Sequence, residues 1–488
     1  MISPYQTFLR CLSSFAIPYF SRGEVVKSSC QTNSLFGFNA DDIRLPSTAD
    51  HFHPDVWDGY DFGSFTTTNS EPGTLETILE EKKKEVKAIL LLASSDSFQE
   101  LDLVDKIQRL GLAYQFEVEI QDVLNRTYHD DYTCFHNKIF DDNYGDLHLF
   151  LSGFVSVFKK FKDESGEFHA NLVLDVVGML SLYEASYLGF NGEDIMDDVM
   201  TFTTKHLQSI ARDPTSPLAS QVQHALRTPL HHRVERVLAM EYIKIYGDDI
   251  TQNETLLEYA KLDYNFVQLL HRKEMDELSR WWKQININSK VPFHVRDRVV
   301  EAYAMINSFN FEPEFSLGRI HLTKIWCVLT ILDDAHDVYG NLTELEPLCD
   351  ALQRWDDVDL NELPNHMKEI YYEMSNLFKN GHFIGGPYLK KEVERERGII
   401  ITFVTCYMKE HGVSESEAIE SLKMMCMRLW KDINQELLRI NNPAPLGLHK
   451  IILNVTRNLV LYYGDGYTNS NGRTKDIITS ILIDPFPI

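Results

Sequence analysis

Basic side chains, paired cysteines and long apolar runs are all scarce in this 488-residue chain, and each shortage excludes a class of protein. Lys and Arg total 47 against 72 Asp and Glu, so the formal net charge is -25 at pH 7. A surface with this excess of acid repels the phosphate backbone of nucleic acids, and we expect no nucleic-acid partner. No uninterrupted apolar stretch approaches the roughly 20 residues that span a bilayer, which predicts that there is no transmembrane segment.

The seven cysteines are far apart, and none of them forms a CxxC pair. A thiol metal site or a disulfide framework needs closer spacing, so the pattern favours a reducing compartment. The first forty residues differ from the rest, with three basic side chains, one acidic side chain and many serines. We interpret residues 1–45 as a leader, either a plastid transit peptide or a floppy cytosolic segment. Cytoplasm and plastid both remain open as locations.

Strand-like alternation is nowhere sustained, whereas the helical period dominates beyond residue 70. Leu103, Ile107 and Leu110, for example, share one helix face. Further helices are predicted over residues 172–188, 255–284, 317–332 and 416–438. The pattern predicts an all-α protein whose helices stack in layers, with a domain change near residue 250.

The clearest chemical pattern is an apolar helix that ends in three carboxylates. The segment TKIWCVLTILDDAHDVYG places Asp333 and Asp337 about 40° apart around the helix, with Asp334 beside them. Because like charges this close repel each other after a buried apolar run, a divalent cation is the natural partner. Carboxylate oxygens suit Mg²⁺ that bridges to substrate phosphates. The alternative for an isolated DDxxD is a solvated helix end, and His336 is expected to pack or point outward.

Two arginines precede the acidic motif by about 35 residues. In PFHVRDRVVEAY, Arg296 and Arg298 are separated by one aspartate. Guanidinium groups offer planar forks to phosphate oxygens and stay charged, so the arginines and the aspartates together predict a site for diphosphate and metal. Taken alone, an RxR pattern is typical of a surface salt-bridge pair.

These two motifs, in this order, resemble those of the plant terpene synthase family, and the likeness continues over roughly 440 residues. Segments that match the family recur in its order: FHPDVW, KFKDESGEF, LVLDVVGMLSLYEASYLG, GEDIMDDVMTFTTKHL, AKLDYNFVQLLHRKEMDELSRWWK, FEPEFSLGR, ALQRWD, CYMKEHGVSESEA, WKDINQELL and GDGYT. The resemblance implies an N-terminal α-barrel-like helical domain over residues 46–250. It also implies a C-terminal class I terpenoid synthase helical domain, which binds metal, over residues 251–488.

What the resemblance implies for this chain is Mg²⁺-dependent ionisation of a prenyl diphosphate, which leaves an allylic carbocation and gives a terpene hydrocarbon or alcohol. The implied catalytic residues are Arg296, Arg298, Asp333, Asp334 and Asp337. The three aspartates would hold Mg²⁺, with Mn²⁺ as the alternative ion. The two arginines and the metal would bind the departing diphosphate.

The segment GDGYT matches a family loop that lies by the pocket mouth. The resemblance implies that Asp465 and Tyr467 contact the substrate. Between two glycines, the same residues equally suit an ordinary turn.

The second metal motif of the family is not intact in this chain. The stretch that leads to CYMKEHG is too short for the helices expected there, which indicates a shortening near residues 385–400. Glu394, or its neighbour Glu392, is the only remnant that could bind metal. Loss of these helices is also expected to expose apolar surface.

Two other departures affect the expected site. Asp432, Asn434 and Glu436 in WKDINQELL place oxygens on one helix and are a weak candidate to replace the second motif. An aromatic ring that relatives carry after RDR is replaced here by Met305.

Farnesyl diphosphate is the favoured substrate because the FHPDVW start lacks tandem arginines, and geranyl diphosphate comes next. The alternative is a catalytically silent or truncated relative, since the second metal motif is missing. A chain-elongating prenyltransferase is poorly supported because no second aspartate-rich motif is present. We expect a monomer.

Overall fold

The computed structural model describes residues 57, 60, 62, 72–92, 97–132, 158, 161–213, 218–335, 342–354, 360–380, 403–437, 446–464 and 473–487. The predicted leader and the shortened stretch near residues 385–400 lie outside these residues. So do four candidate site residues, Asp337, Glu394, Asp465 and Tyr467.

Within the described residues the secondary structure is helical. The α-helices there are α1 Pro72–Leu92, α2 Ser97–Arg109, α3 Glu117–Tyr132, α4 Val176–Ser186, α5 Asp194–Ala211, α6 Ala219–Arg227, α7 Glu235–Gly247, α8 Glu254–Ile285, α9 Val299–Asn307, α10 Ser316–Asp334, α11 Leu342–Arg354, α12 Asn365–Asn380, α13 Phe403–His411, α14 Glu415–Leu437, α15 Leu446–Gly464 and α16 Arg473–Leu482. The only β pairing in the same part of the chain is an isolated antiparallel bridge between Lys162 and Phe168. The prediction of an all-α protein is therefore confirmed.

Three of the predicted long helices match α8, α10 and α14 to within two residues at each end. The stretch predicted over residues 172–188 is instead a short 3-10 turn, Ala170–Leu174, followed by α4. Asp175 separates the two because its side chain accepts a hydrogen bond from the backbone N–H of Gly178 at 2.9 Å. This is the N-cap geometry that starts a new helix.

The chain divides into two compact units, each assembled from separate stretches of sequence. Unit A comprises Met1–Leu79, Lys261–Arg397 and Lys450–Ile488, and unit B comprises Glu80–Ala260 and Gly398–His449. Helix α14 thus groups with helices from the first half of the sequence. The domain boundary placed near residue 250 stays a prediction.

One core cluster of unit B forms where α4, α5 and α6 meet. Its buried side chains are Met179, Leu180, Tyr183, Leu207, Val222 and Ala225. They recur at helical spacing along their helices, so this part of the fold follows from apolar periodicity.

A buried polar network joins α8, α9 and α10 inside unit A. Arg319 donates two hydrogen bonds to the carboxylate of Glu274, at 2.7 and 2.9 Å, and Tyr303 donates a third at 2.7 Å. Arg319 also donates to the backbone carbonyls of Asn310 and Glu312, at 2.9 and 2.7 Å. Because α9 follows the two arginines of the RxR motif and α10 ends at the aspartates, this network fixes the helices that position the candidate site.

One stretch of the described residues, Pro313–Leu332, is long and apolar enough to cross a membrane by length and composition. Half of it is buried inside the protein. The core helix of a globular protein has the same properties, so this stretch is weak evidence for a membrane span.

Candidate functional site

The acidic motif begins in the last turn of α10. The backbone of Asp333 and all of Asp334 lie in this helix, whereas the side chain of Asp333 is outside the described residues. The Asp334 side chain is fully buried. The end of an apolar helix thus carries at least one carboxylate into the interior of unit A, as the sequence predicted.

Arg296 contacts the acidic motif directly. Its guanidinium donates a short hydrogen bond to one carboxylate oxygen of Asp334, and its backbone N–H lies 3.3 Å from the other. The Arg296 side chain is 19% exposed. The structure therefore brings the first arginine of the RxR motif to the second aspartate of the DDxxD motif, across 38 positions of sequence.

The turn that carries Arg296 is held by a side chain that the sequence did not indicate. Asn288 accepts a hydrogen bond from the backbone N–H of Val295 at 2.7 Å and donates one to the carbonyl of the same residue at 3.3 Å. An asparagine that bonds to backbone seven residues later leaves no spacing pattern, so no sequence signal could have found it.

The second arginine of the motif has its own acidic partner. Arg298 donates to Glu301 at 2.9 Å, and both side chains are buried. Their i, i+3 spacing on a helix is a pattern that the sequence did contain, because residues three apart are neighbours on a helix surface. Both arginines are thus held by carboxylates, and Arg296 is the more exposed of the two.

A buried thiol lies close to this charged cluster. Burial raises the pKa of the Cys327 thiol well above its usual range, and the nearby charges of Asp297 and Glu301 raise it further. A thiol with a raised pKa stays protonated at neutral pH and is a poor nucleophile. Its burial and raised pKa therefore make Cys327 a poor candidate for a nucleophile.

The oxygen donors at this helix end suit a hard divalent cation such as Mg²⁺. Among the described side chains, no three His, Cys, Asp or Glu residues converge to form a metal site. Asp333 and Asp337, which would complete a set with Asp334, have side chains outside that part of the chain. Since Arg296 engages the Asp334 carboxylate, Asp333 and Asp337 are the better candidates for direct ligands.

The oxygens of WKDINQELL are used in packing within unit B. Asp432 accepts a hydrogen bond from the side chain of Asn191 at 2.5 Å. The buried amide of Asn434 donates to the carbonyls of Tyr187 and Gly189, at 2.9 and 3.1 Å, and its oxygen lies 2.7 Å from Nε2 of His231. These contacts give Asp432 and Asn434 a packing role within unit B, which makes the segment a poor candidate to replace the second motif.

The aromatic departure after RDR also lies in the core. Met305 is 2% exposed within α9, all nine residues of which are buried. The hydroxyl of Tyr303 donates its hydrogen bond to the carboxylate of Glu274. Helix α9 therefore supports the candidate site indirectly, through its packing in the core and through the buried polar network.

Three family models match the chain. They are "Terpene synthase, N-terminal domain" over residues 49–226, "Terpene synthase family, metal binding domain" over residues 283–382, and "Terpene synthase family 2, C-terminal metal binding" over residues 388–432. Arg296, Arg298 and the aspartates of the acidic motif all fall within the second match.

Several plant proteins are similar along most of their length. (-)-Germacrene D synthase of Vitis vinifera is 34% identical, with 90% of this chain and 96% of the relative covered. Sesquiterpene synthase 2 of Toona sinensis is 35% identical with the same coverage, and (+)-delta-cadinene synthase isozyme A of Gossypium arboreum is 33% identical with the same coverage.

The alignments also bear on the shortening predicted from sequence. The germacrene D synthase alignment runs over 536 positions, whereas 90% of 488 residues is about 439. Nearly 100 positions of the alignment therefore have no residue in this chain. The break between the second and third family matches, at residues 382 and 388, coincides with the predicted shortening.

Solved structures share the fold. Isoprene synthase from grey poplar leaves (Populus x canescens), in complex with three Mg²⁺ ions and dimethylallyl-S-thiolodiphosphate, is 26% identical with a TM-score of 0.72. The match covers 85% of this chain and 99% of that one. Limonene synthase gives a TM-score of 0.75 at 23% identity, covering 91% of this chain and 100% of that one, which supports the fold alone.

Proposed function

The chain belongs to the terpene synthase family, and we propose that it ionises a prenyl diphosphate to an allylic carbocation that becomes a terpene hydrocarbon or alcohol. The observation that carries the proposal is the contact between Arg296 and Asp334. This contact joins the arginine motif, which would bind the diphosphate, to the aspartate motif, which would bind the metal that balances its charge.

Arg296 is the arginine that we assign to the diphosphate. Its side chain is 19% exposed, whereas that of Arg298 is 8% exposed and bonded to Glu301. A guanidinium suits phosphate oxygens because it is planar and stays charged. The role that we assign to Arg298 is structural: its ion pair with Glu301 fixes the first turn of α9, which follows Arg296 in the chain.

Asp334 acts as a positioning residue in this proposal. Its buried carboxylate accepts from both the guanidinium and the backbone of Arg296, so it sets the direction in which that side chain points. A charge-assisted pair of this kind is stronger and more directional than a neutral hydrogen bond.

The donor chemistry fits a divalent metal, and we propose Mg²⁺, with Mn²⁺ as the alternative. Asp333 and Asp337 would hold it, with Glu394 as the remnant of a second set of ligands. When bound, the metal would neutralise the charge that develops on the departing diphosphate. The isoprene synthase structure contains three Mg²⁺ ions, which supports a magnesium requirement here. Asp465 and Tyr467 remain our candidates for additional substrate contacts.

Farnesyl diphosphate is the substrate that we favour, and geranyl diphosphate comes next. The sesquiterpene synthase of Toona sinensis is 35% identical, and sesquiterpenes carry the fifteen carbons of a farnesyl chain. The segment FHPDVW at residues 52–57, which has no tandem arginines ahead of it, supports the same substrate class.

Purified protein with Mg²⁺ and each of the two diphosphates, followed by gas chromatography of the products, tests the proposal. We expect a terpene product with farnesyl diphosphate. Asp333→Asn should lower kcat/KM roughly 100-fold or more, because charge stabilisation of the leaving group is lost. Asp248→Asn, an exposed aspartate beyond the end of α7, is the matched control and should leave turnover unchanged.

Asp334→Asn distinguishes positioning from metal binding. We expect a higher KM for the diphosphate at an unchanged Mg²⁺ requirement. Absence of product with both substrates would overturn the proposal and establish a catalytically silent relative. In that case, a chimera with the missing segment of germacrene D synthase inserted near Lys391 would show whether the lost second motif is the cause.

A further inference from the structure

Two turns of α14 are exposed on every side. All seven residues from 423 to 429 are exposed, and the segment reads KMMCMRL. Five of the seven are apolar or sulfur-containing, and Met424, Met425 and Leu429 are 46%, 42% and 56% exposed. Apolar helix surfaces in globular proteins normally face a core, so a bare apolar helix of this length indicates an interaction surface.

A shortening of the chain relative to its relatives lies close to this helix in the sequence. Relatives carry nearly 100 aligned positions that this chain lacks, and the break between the family matches at residues 382 and 388 falls shortly before α13 and α14. Helix α14 packs against α13 on one side, and its C-terminal end is fixed in unit B through Lys431 and Asn434. Between these contacts, in the part of the chain that the structure describes, residues 423–429 are exposed.

One stripe of this helix has an ordered charge pattern. At about 100° per residue, four side chains fall within about 100° of one another. These residues, which we call the α14 stripe, are Glu420, Met424, Met427 and Arg428. The acid comes first, the methionines lie in the middle and the base comes last.

This order makes the stripe complementary to itself, and we propose that it binds a second copy of this chain as an antiparallel helix pair. With the two-fold axis at Met424, Glu420 and Arg428 each lie four residues, or about 6 Å, from the axis on opposite sides. Glu420 therefore faces Arg428 of the partner subunit, and the symmetric contact repeats the pair. Met424 packs on its counterpart, and its flexible thioether suits an adaptable contact.

Contacts within the helix do not compete strongly with this pairing. Glu420 lies 3.8 Å from Lys423, but the two side chains are 70% and 68% exposed, and such pairs contribute little. The opposite face, with Ile419, Met425 and Leu429, is apolar without an acid-to-base order, so it does not specify an orientation. This proposal differs from the monomer that the sequence led us to expect.

Charge reversal tests the pairing, with sedimentation velocity over a range of protein concentrations as the measurement. We expect the parent chain to dimerise as concentration rises and to dissociate at high salt. Glu420→Arg and Arg428→Glu should each weaken association by roughly tenfold or more, because each replaces two attractive contacts by two repulsive ones. The double variant should restore it.

Matched variants keep the result unambiguous. Glu415→Arg makes the same charge change on an exposed residue of α14 outside the stripe, and it should leave association unchanged. Met424→Glu places two acids at the axis and should give a monomer. Circular dichroism checks that each variant keeps its helices. A parent chain that stays monomeric, or a double variant no better than the single ones, would refute the proposal.

Discussion

The buried ion pair between Arg319 and Glu274 in unit A is a place where one substitution should strongly loosen the helices that position the candidate site. Arg319 makes four hydrogen bonds, two to Glu274 and two to backbone carbonyls. Arg319→Met keeps an apolar stem of similar length but removes every donor. Glu274, which is 3% exposed, would keep its hydrogen bond from Tyr303 and would lose its counter-charge.

In Arg319→Met, the free energy of local opening of α9 and α10 should fall by about 4 kcal/mol, since removing one partner of a buried ion pair costs about 3–5 kcal/mol. Domains are stable by only about 5–15 kcal/mol, so the effect is large. In Arg319→Met/Glu274→Leu, the stranded charge is removed as well. The double variant should therefore recover at least about 2 kcal/mol relative to the single one.

Hydrogen exchange measured by mass spectrometry suits a protein of two compact units, because it reports opening peptide by peptide. Peptides from α9 and α10 should exchange faster in Arg319→Met, whereas those from α5, in unit B, should not change. If the opening free energy of α9 and α10 falls by less than about 1 kcal/mol, or if the double variant is no more stable than the single one, the reasoning about this pair is wrong.

Two more outcomes follow from unit B. Burial raises the pKa of Glu184 above its ordinary value of 4.5, so the stability it contributes is present below pH 4.5 and is lost as pH rises through the folded-state pKa. The melting temperature of Glu184→Gln relative to the parent should therefore rise between pH 4 and 7, and Glu81→Gln, at an exposed site, should show no such trend. Asn434→Ala should destabilise α14 by about 2 kcal/mol, because one buried and two partly buried polar groups each lose a hydrogen bond, while exposed Gln435→Ala should not; hydrogen exchange of α14 peptides measures both.

The helices were predictable where the pattern is local. The extent of α10 follows from its apolar run, and that of α8 from apolar spacing with Asn253 as the N-cap, whose side chain accepts from the backbone of Leu256 at 3.0 Å. Asp175 shows where prediction from apolar spacing fails. Its side chain caps a new helix inside an apolar stretch, and the single predicted helix is therefore divided into a 3-10 turn and α4.

The sequence predicted which residues form the candidate site, but not how those residues are paired in space. The sequence supplied the arginines and the aspartates and suggested a shared diphosphate. It did not supply the pairing of Arg296 with Asp334, because helical periodicity orders residues only within one helix and these lie on separate elements. For the same reason, the roles of Asn434 and Asp432 in joining α14 to the turn between α4 and α5 became evident only in the fold.

Because one carboxylate both belongs to the acidic motif and steers an arginine, a mutational scan of the DDxxD aspartates would mix two kinds of defect. Losing Asp334 would leave the Arg296 guanidinium without the carboxylate that directs it, so such a variant would bind the incoming diphosphate more weakly and would show a higher KM. Losing a metal ligand would instead lower kcat, so separate values of kcat and KM, rather than end-point yields, would tell the two defects apart.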